Sequence, residues 1–358
     1  MSDKKLGFNA TWSMAVGGMV GGGIFSVLGL IIQTAGQWAW LSFVIAGVIG
    51  FISAYSYSKL ATKFEEGGGA FTYLRAMDQD GPAGSLAWIL IIGYVLSLSV
   101  YGFTFGHYIS HAVSWGPWAT RLISLAVVTI LTLINLKGTQ DSSGIEIFIV
   151  WGKLIVLVGL AIFGLFHWDA TKLVEGIEPK SIGNSISGAA TIFIAYQGFQ
   201  LLSYDYSDMK NPKRTLPMAT LTAVLAVIVI YVIVTLGATT LVGAETMIQQ
   251  KEVALSLAAK AAFGKTGLIL MTIAAAFSTA SAINATLFST SRLMDDIAIK
   301  KSLPETFAKE NKNKIPYVGL LTIGIFSTLL AMFGSLSALV SATSLIFLFA
   351  FGVVNFVA

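Results

Sequence analysis

About ten stretches of some twenty residues each, nearly free of charge, follow one another along the chain. They fall at 8–33, 38–61, 84–113, 118–136, 144–166, 184–206, 215–242, 267–294, 317–334 and 336–357. Each is long enough to cross a hydrocarbon core as a helix. In lipid every backbone N–H and C=O must find a partner inside the protein, so stretches of this kind fold as packed helices. Charged residues make up 11% of the chain, against about 25% in soluble domains. The sequence therefore predicts an all-α polytopic membrane protein with the lipid bilayer as its first partner. It is read as a single transmembrane domain over residues 1–358, placed in the cell membrane.

Of the 22 Lys and Arg residues, the alternation of spans puts fifteen on the side of the N-terminus. Six fall on the other side: Arg121, Lys172, Lys180, Lys251, Lys260 and Lys265. Positive charge concentrates on the cytoplasmic side of membrane proteins, so a cytoplasmic N-terminus is expected. The net charge of +4 is explained by these loop cations, and no nucleic-acid partner is expected. The opening Met1-Ser2-Asp3-Lys4-Lys5 carries no cleavage-like site and is not read as a removable signal. The last span runs into Asn355-Phe356-Val357-Ala358 with no polar tail, an ending expected of a chain truncated within a longer protein. The segment 59–81, with Gly67-Gly68-Gly69, is expected to hold a short interfacial helix. The segment 243–266 reads as a helical lid or a plain loop, and 295–315 as a basic, solvated loop.

No cysteine is present, which excludes disulfides, thiolate metal sites and cysteine catalysis. His107, His111 and His167 lie near span ends without metal-like spacing. No HExxH or GxSxG motif occurs. Neither an enzyme nor a cofactor or metal is expected.

Two spans are badly written as helices. The first contains Gly17-Gly18-Met19-Val20-Gly21-Gly22-Gly23-Ile24-Phe25, and each glycine in a helix interior costs roughly 0.5–1 kcal/mol relative to alanine. One reading is a break in the helix that lines a binding site for a small polar solute. The other is close packing of a neighbouring helix on small residues. The sixth span has a similar polar, glycine-bearing centre, Tyr196-Gln197-Gly198-Phe199-Gln200. First and sixth are corresponding members of two five-helix halves, about 8–167 and 184–357. Interrupted spans at matching positions point to a midplane site in an inverted-repeat transporter.

Here the residues resemble a known family, the amino acid–polyamine–organocation (APC) permeases. Gly21-Gly22-Gly23-Ile24-Phe25 is similar to their G-x-G-I-F motif. Ala195-Tyr196-Gln197-Gly198-Phe199-Gln200, followed by Asp208-Met209-Lys210-Asn211-Pro212-Lys213-Arg214-Thr215-Leu216-Pro217, resembles their F-x-G-F-E and E-x-K-N-P-x-R-x-x-P patterns. Ser281-Ala282-Ile283-Asn284, Ser291-Arg292 and Leu303-Pro304 are similar to their eighth span and the loop after it. The resemblance covers nearly the whole chain. It implies a LeuT-like 5+5 inverted repeat with discontinuous first and sixth transmembrane helices, and an amino acid bound between the breaks.

On that reading the N–H groups of Gly22 and Gly23, with Gly21 and Ile24 beside them, meet the substrate carboxylate at a helix N-terminus. Carbonyls near Met19, Ile194 and Gln197 meet its ammonium group. Tyr196 and Phe199 cover the ligand, with ordinary packing as the alternative. Ser97 and Tyr101 line the side-chain pocket or are satisfied within the bundle. Gln200 stands where the family commonly has Glu, so the proton role of that carboxylate does not transfer. No acidic residue is placed at the midplane of the third, sixth, eighth or tenth span, which favours a neutral L-amino acid as substrate. Asp208 is expected to pair with Lys210, Lys213 or Arg214.

Lys153 lies about ten residues from either end of its span, roughly 15 Å from each. An ionisable residue at that depth faces the bundle and has a function. The resemblance implies that its ammonium takes the place of a sodium ion, near the carbonyls of Gly17 and Gly18 and the hydroxyls of Ser278 and Ser281. A lysine lining a water-filled vestibule is the alternative. The resulting expectation is an amino-acid symporter that uses alternating access and protons. Sodium-independent exchange is the second reading and a channel the distant third. The sequence leaves any partner subunit open.

Overall fold

The computed structural model describes residues 5–65, 67–138 and 143–358. Of the charged opening, whose sidedness and processing the sequence addressed, residues 1–4 lie outside the described residues. Among the described residues twelve α-helices follow in order: α1 (Phe8–Ala35), α2 (Ala39–Phe64), α3 (Gly69–Arg75), α4 (Asp80–Ala112), α5 (Pro117–Leu136), α6 (Ser143–Phe166), α7 (Asn184–Thr191), α8 (Pro212–Val242), α9 (Ala244–Gln249), α10 (Ala254–Ile299), α11 (Tyr317–Phe333) and α12 (Leu336–Val357). Between α7 and α8 lie two 3₁₀ turns, Phe193–Tyr196 and Phe199–Asp208. Residues 184–208 are called the sixth segment below.

Local chemistry sets the ends. Pro117 and Pro212 open α5 and α8 from their first turns, where a missing N–H costs nothing. Ser335 caps α12 by accepting from the Ala338 N–H. Gly36 (φ 56°) turns the chain from α1 towards α2, and Gly243 (φ 82°) ends α8.

Among the described residues, seven helical stretches are long and apolar enough to cross a membrane. One of them, Phe8–Phe64, contains both α1 and α2. α11, at 17 residues, is shorter than the spans expected, and the sixth segment is not a continuous helix.

α1 is the most enclosed of the long helices: from Ala15 to Ile32 every residue except Gly18 is buried. α2, α4, α6, α8, α10 and the sixth segment pack around it. By contrast α6 exposes Phe148, Ile155 and Ile162, an apolar surface suited to lipid.

The long connections are structured. α3 begins at the last glycine of the triplet, but Gly69 to Leu74 are buried and Tyr73 stacks on Phe64 of α2, so it is part of the bundle. Segment 243–266 is helical, made of α9 and the start of α10, which bends at Phe263 and Gly264 (φ 60°). Beyond α10, Asn311 donates to the Leu136 carbonyl at 2.7 Å and anchors the basic connection to the end of α5.

Candidate functional site between the first helix and the sixth segment

The sixth segment is broken where the sequence places the break. α7 stops at Ile192, Gln197 is extended (φ −72°, ψ 139°) and Gly198 adopts φ 136°. Glycine is required twice there. Only glycine enters that conformation at little cost, and a Cβ on Gly198 would lie 2.8 Å from the Gly18 Cα. The freed backbone groups are met by side chains. Ser344 of α12 accepts from the Ile194 N–H at 3.0 Å and donates to the Thr191 carbonyl at 2.6 Å. Gln200 Oε1 accepts from the Gly198 N–H at 2.7 Å, and its Nε2 faces Tyr94 Oη at 3.4 Å. Such compensation is what buried irregular backbone needs in a membrane.

The first helix is not broken, which corrects the expected discontinuity. α1 runs unbroken from Phe8 to Ala35, so the N–H groups of Gly22 and Gly23 belong to its own i→i−4 ladder and are not presented to a carboxylate. The reason lies in the neighbours. A Cβ on Gly17 would meet Val150, on Gly18 the Gly198 backbone, on Gly21 Ala282, on Gly22 the Tyr101 ring and on Gly23 Ala195. Each glycine admits a different neighbour, and the packing offsets the helix propensity that five glycines forgo.

The glycine stretch is nevertheless unlike ordinary helix, because its carbonyls carry second hydrogen bonds. Lys153 Nζ donates to the Gly17 carbonyl at 3.0 Å, Tyr231 Oη to Met19 at 2.8 Å and Ser278 Oγ to Val20 at 2.6 Å. Ser26 Oγ lies 2.5 Å from the Gly22 carbonyl and 3.0 Å from that of Gly23, and Tyr108 Oη donates to Phe25 at 3.1 Å. A carbonyl oxygen has two lone pairs, so these donors add to the helical ladder without replacing it.

The residues singled out from sequence divide into two groups. Met19, Gly21, Gly22, Gly23, Ile24, Tyr101, Ile194 and Gln197 meet around the crossing of α1 and the sixth segment, all buried. Tyr101 fills the space between Gly22 and Gln197: its ring lies on Gly22 and its hydroxyl donates to Gln197 Oε1 at 2.8 Å. In this conformation protein atoms occupy the place assigned to the substrate carboxylate. The second group turns elsewhere. Ser97 donates to Gly93 within its own helix at 3.0 Å. Tyr196 donates to the Phe43 carbonyl of α2 at 2.7 Å, and Phe199 packs against Tyr57 and Phe351. Neither ring lies as a cover over the crossing.

Around Lys153, 2% exposed, the predicted contact with Gly17 is present. Ser278 serves Val20, Gly18 serves the crossing with Gly198, and Ser281 lines a cavity. Asp208 makes no ion pair among the described residues; Lys213 pairs with Glu65 instead. His107 bonds a carbonyl four residues back in α4, and His167, just past the end of α6, bonds the Phe163 carbonyl of that helix; no group of three metal-ligating side chains occurs among the described residues.

Two residues that the sequence reading passed over hold the crossing together. Tyr231 Oη reaches both the Met19 carbonyl and, at 2.9 Å, that of Ala195. A lone tyrosine in the Val- and Ile-rich centre of α8 was the available signal, since a buried hydroxyl needs a partner. Ser344 gave none, being one of several hydroxyls in α12.

Cavities approach the crossing from the end of the bundle that carries the start of α1. One of 50 Å³ is lined by Gly17, Gly18, Gly198, Glu146, Asp205 and Ser281, among others. A second, of 340 Å³, shares Asp205 and Ser289 with it and reaches Arg292, Asp296 and Lys300. At the opposite end a 410 Å³ cavity is bounded by His107, His111, Arg121 and Glu252.

Known proteins place this architecture. The uncharacterized protein MJ0609 of Methanocaldococcus jannaschii is 30% identical over 353 residues, covering 97% of this chain and 80% of that protein. The serine/threonine exchanger SteT of Bacillus subtilis is 27% identical, covering 84% of this chain and 69% of its own length. Cationic amino acid transporter 7 of Arabidopsis thaliana is 26% identical over 94% of this chain, which spans 62% of that protein. A family model described as amino acid permease matches residues 6–358. With that match over essentially the whole length, the chain belongs to the amino acid permease family of the APC superfamily, membrane transporters and not enzymes.

Proposed function

We propose that the protein is a secondary transporter of neutral L-amino acids that works by alternating access, with protons as the coupling ion and Lys153 as the coupling group. The observation that carries this reading is the buried Lys153 ammonium, held on the Gly17 carbonyl at 3.0 Å inside the same crossing where the sixth segment is broken. An ionisable group at that depth is costly and marks function. A change in its charge acts directly on α1. The two repeats are assigned to 8–167 and 184–357, with α1 and the sixth segment as corresponding members. The N-terminus is assigned to the cytoplasm from the lysine distribution.

The substrate would lie where Tyr101 now fills the space between Gly22 and Gln197, so Tyr101 is the side chain that must move to admit it. Local opening of α1 at Gly21–Gly23 would then present N–H groups to a carboxylate, and Met19, Ile24, Ile194 and Gln197 would border the ammonium side. Neutral substrates are favoured because Tyr101, Tyr231, Ser278 and Ala282, which meet this part of α1, are uncharged. Tyr196, Phe199, Gln200 and Ser97 support the site from behind; Gly18, Ser278 and Ser281 border the coupling group.

Sodium-independent exchange is the second reading, supported by the relative named as a serine/threonine exchanger. Uptake into proteoliposomes distinguishes these modes when driven by a proton gradient, a sodium gradient or internal amino acid alone. Proton-driven uptake is expected, lost in Lys153→Ala. Uptake that depends on sodium and ignores the other two conditions would reject the role of Lys153. Conductance faster than any alternating carrier would establish a channel.

A further inference from the structure

Two carboxylates stand beside the crossing, and the transport reading gives neither a task. Glu146 lies in the first turn of α6, seven residues before Lys153, which places both on about the same helix face. A Cβ on Gly17 would sit 3.6 Å from Glu146 Oε1, while the Gly17 carbonyl accepts from Lys153 Nζ at 3.0 Å. Gly17 is thus flanked by the amine and the carboxylate. Asp205 comes from the sixth segment, at the one residue where its second 3₁₀ turn departs from helical angles (φ −96°, ψ 16°).

Glu146 and Asp205 line the same 50 Å³ cavity, together with the hydroxyls of Ser281 and Ser289. That volume is ample for a water molecule, which needs roughly 10–15 Å³ and polar partners. Asp205 and Ser289 also line the 340 Å³ cavity towards Arg292 and Lys300. The ionisable groups therefore form a series from buried amine to open cavity. Other charge near Glu146 is sparse. α1 and α10 face the cavity with backbone, apolar side chains and hydroxyls, and Asp208 and Arg292 act on Asp205. α8 carries charge only at Lys213, paired with Glu65, and Arg214.

We propose that Glu146 is the proton carrier between Lys153 and the cavity at the start of α1, with Asp205 as the next acceptor. In this step an N–H bond of the Lys153 ammonium breaks and an O–H bond forms on the Glu146 carboxylate, leaving a neutral amine and a neutral acid. The proton then passes through cavity water to the Asp205 carboxylate, and the Glu146 carboxylate is restored. Reversing the sequence recharges Lys153. Three side-chain torsions let Glu146 face the amine or the cavity in turn. This inference rests on the reading of Lys153 as the coupling group.

The test uses the full chain in proteoliposomes, with L-serine as probe, and compares uptake driven by a proton gradient with exchange against internal L-serine. In Glu146→Gln the ratio of driven uptake to exchange is expected to fall roughly a hundredfold or more, the scale on which a positioned acid–base group acts. Glu146→Asp is expected to recover most of that ratio with a displaced pH profile, which a purely structural role would not produce. Equal loss of driven uptake and exchange in Glu146→Gln would overturn the proposal, as would an unchanged ratio. If the unmodified protein shows no proton-driven uptake, the reading of Lys153 falls and this inference with it; if it does and the variant matches it, only the role of Glu146 falls.

Discussion

The first helix and the sixth segment carry the same sequence signal, glycines in the middle of an apolar span, and the chain treats them oppositely. α1 absorbs six glycines, five of them between Gly17 and Gly23, and stays helical, whereas the sixth segment gives way around a single one, Gly198. Helix propensity ranks the two the wrong way round. The difference lies in what each glycine touches and in backbone angle. In α1 the glycines keep helical angles and admit neighbours from several elements. Gly198 adopts φ 136°, which no side-chain-bearing residue enters cheaply, and Ser344, Gln200 and Tyr231 receive the backbone groups this frees. A glycine cluster therefore marks close approach, and a break needs polar partners ready to accept the loose backbone.

This contrast can be broken by substitution. Gly198→Ala is expected to have the largest effect, because positive φ and the clash with Gly18 act together, costing roughly 2–5 kcal/mol. The measurement is thermal stability in detergent together with uptake, and both should collapse. Gly22→Ala comes next, at roughly 1–3 kcal/mol of overpacking against Tyr101. Pairing it with Tyr101→Ala should recover part of the lost stability. If the double variant is no more stable than Gly22→Ala alone, Gly22 is not a packing glycine and the account of α1 fails. Gly159→Ala in α6 is the smallest case. A Cβ there meets nothing within 4 Å, so the helix should gain about 0.5–1 kcal/mol. A loss of stability at Gly159 would show that glycine contacts in this bundle are not captured by its static packing.

The contrast also shows what could be read from sequence. Span length and charge sufficed for the helical membrane architecture, because lipid leaves the backbone so few choices. The break near Gly198 was legible because polar residues flank the glycine. The continuity of α1 was not, since it depends on Val150, Ala282, Tyr101 and Ala195, which come from distant parts of the chain. Lys153 was found by its depth, a property of position along the span. Glu146 escaped notice because it sits near a span end, where a charge is unremarkable, and only the fold brings it beside Gly17. Tyr196 and Phe199 were given to the ligand, yet their direction is set by Phe43, Tyr57 and Phe351, none of them sequence neighbours.

The start of α1 and the end of the sixth segment are joined by a short parallel bridge, in which the Leu6 N–H meets the Asp208 carbonyl and the Lys210 N–H meets the Leu6 carbonyl, both at 2.8 Å. Midway along, Tyr231 joins the same two segments at Met19 and Ala195. In mechanical terms these are two pins through two bars. One pin would leave a pivot; two leave no relative rotation. The pair must therefore swing as a single lever unless a pin is drawn.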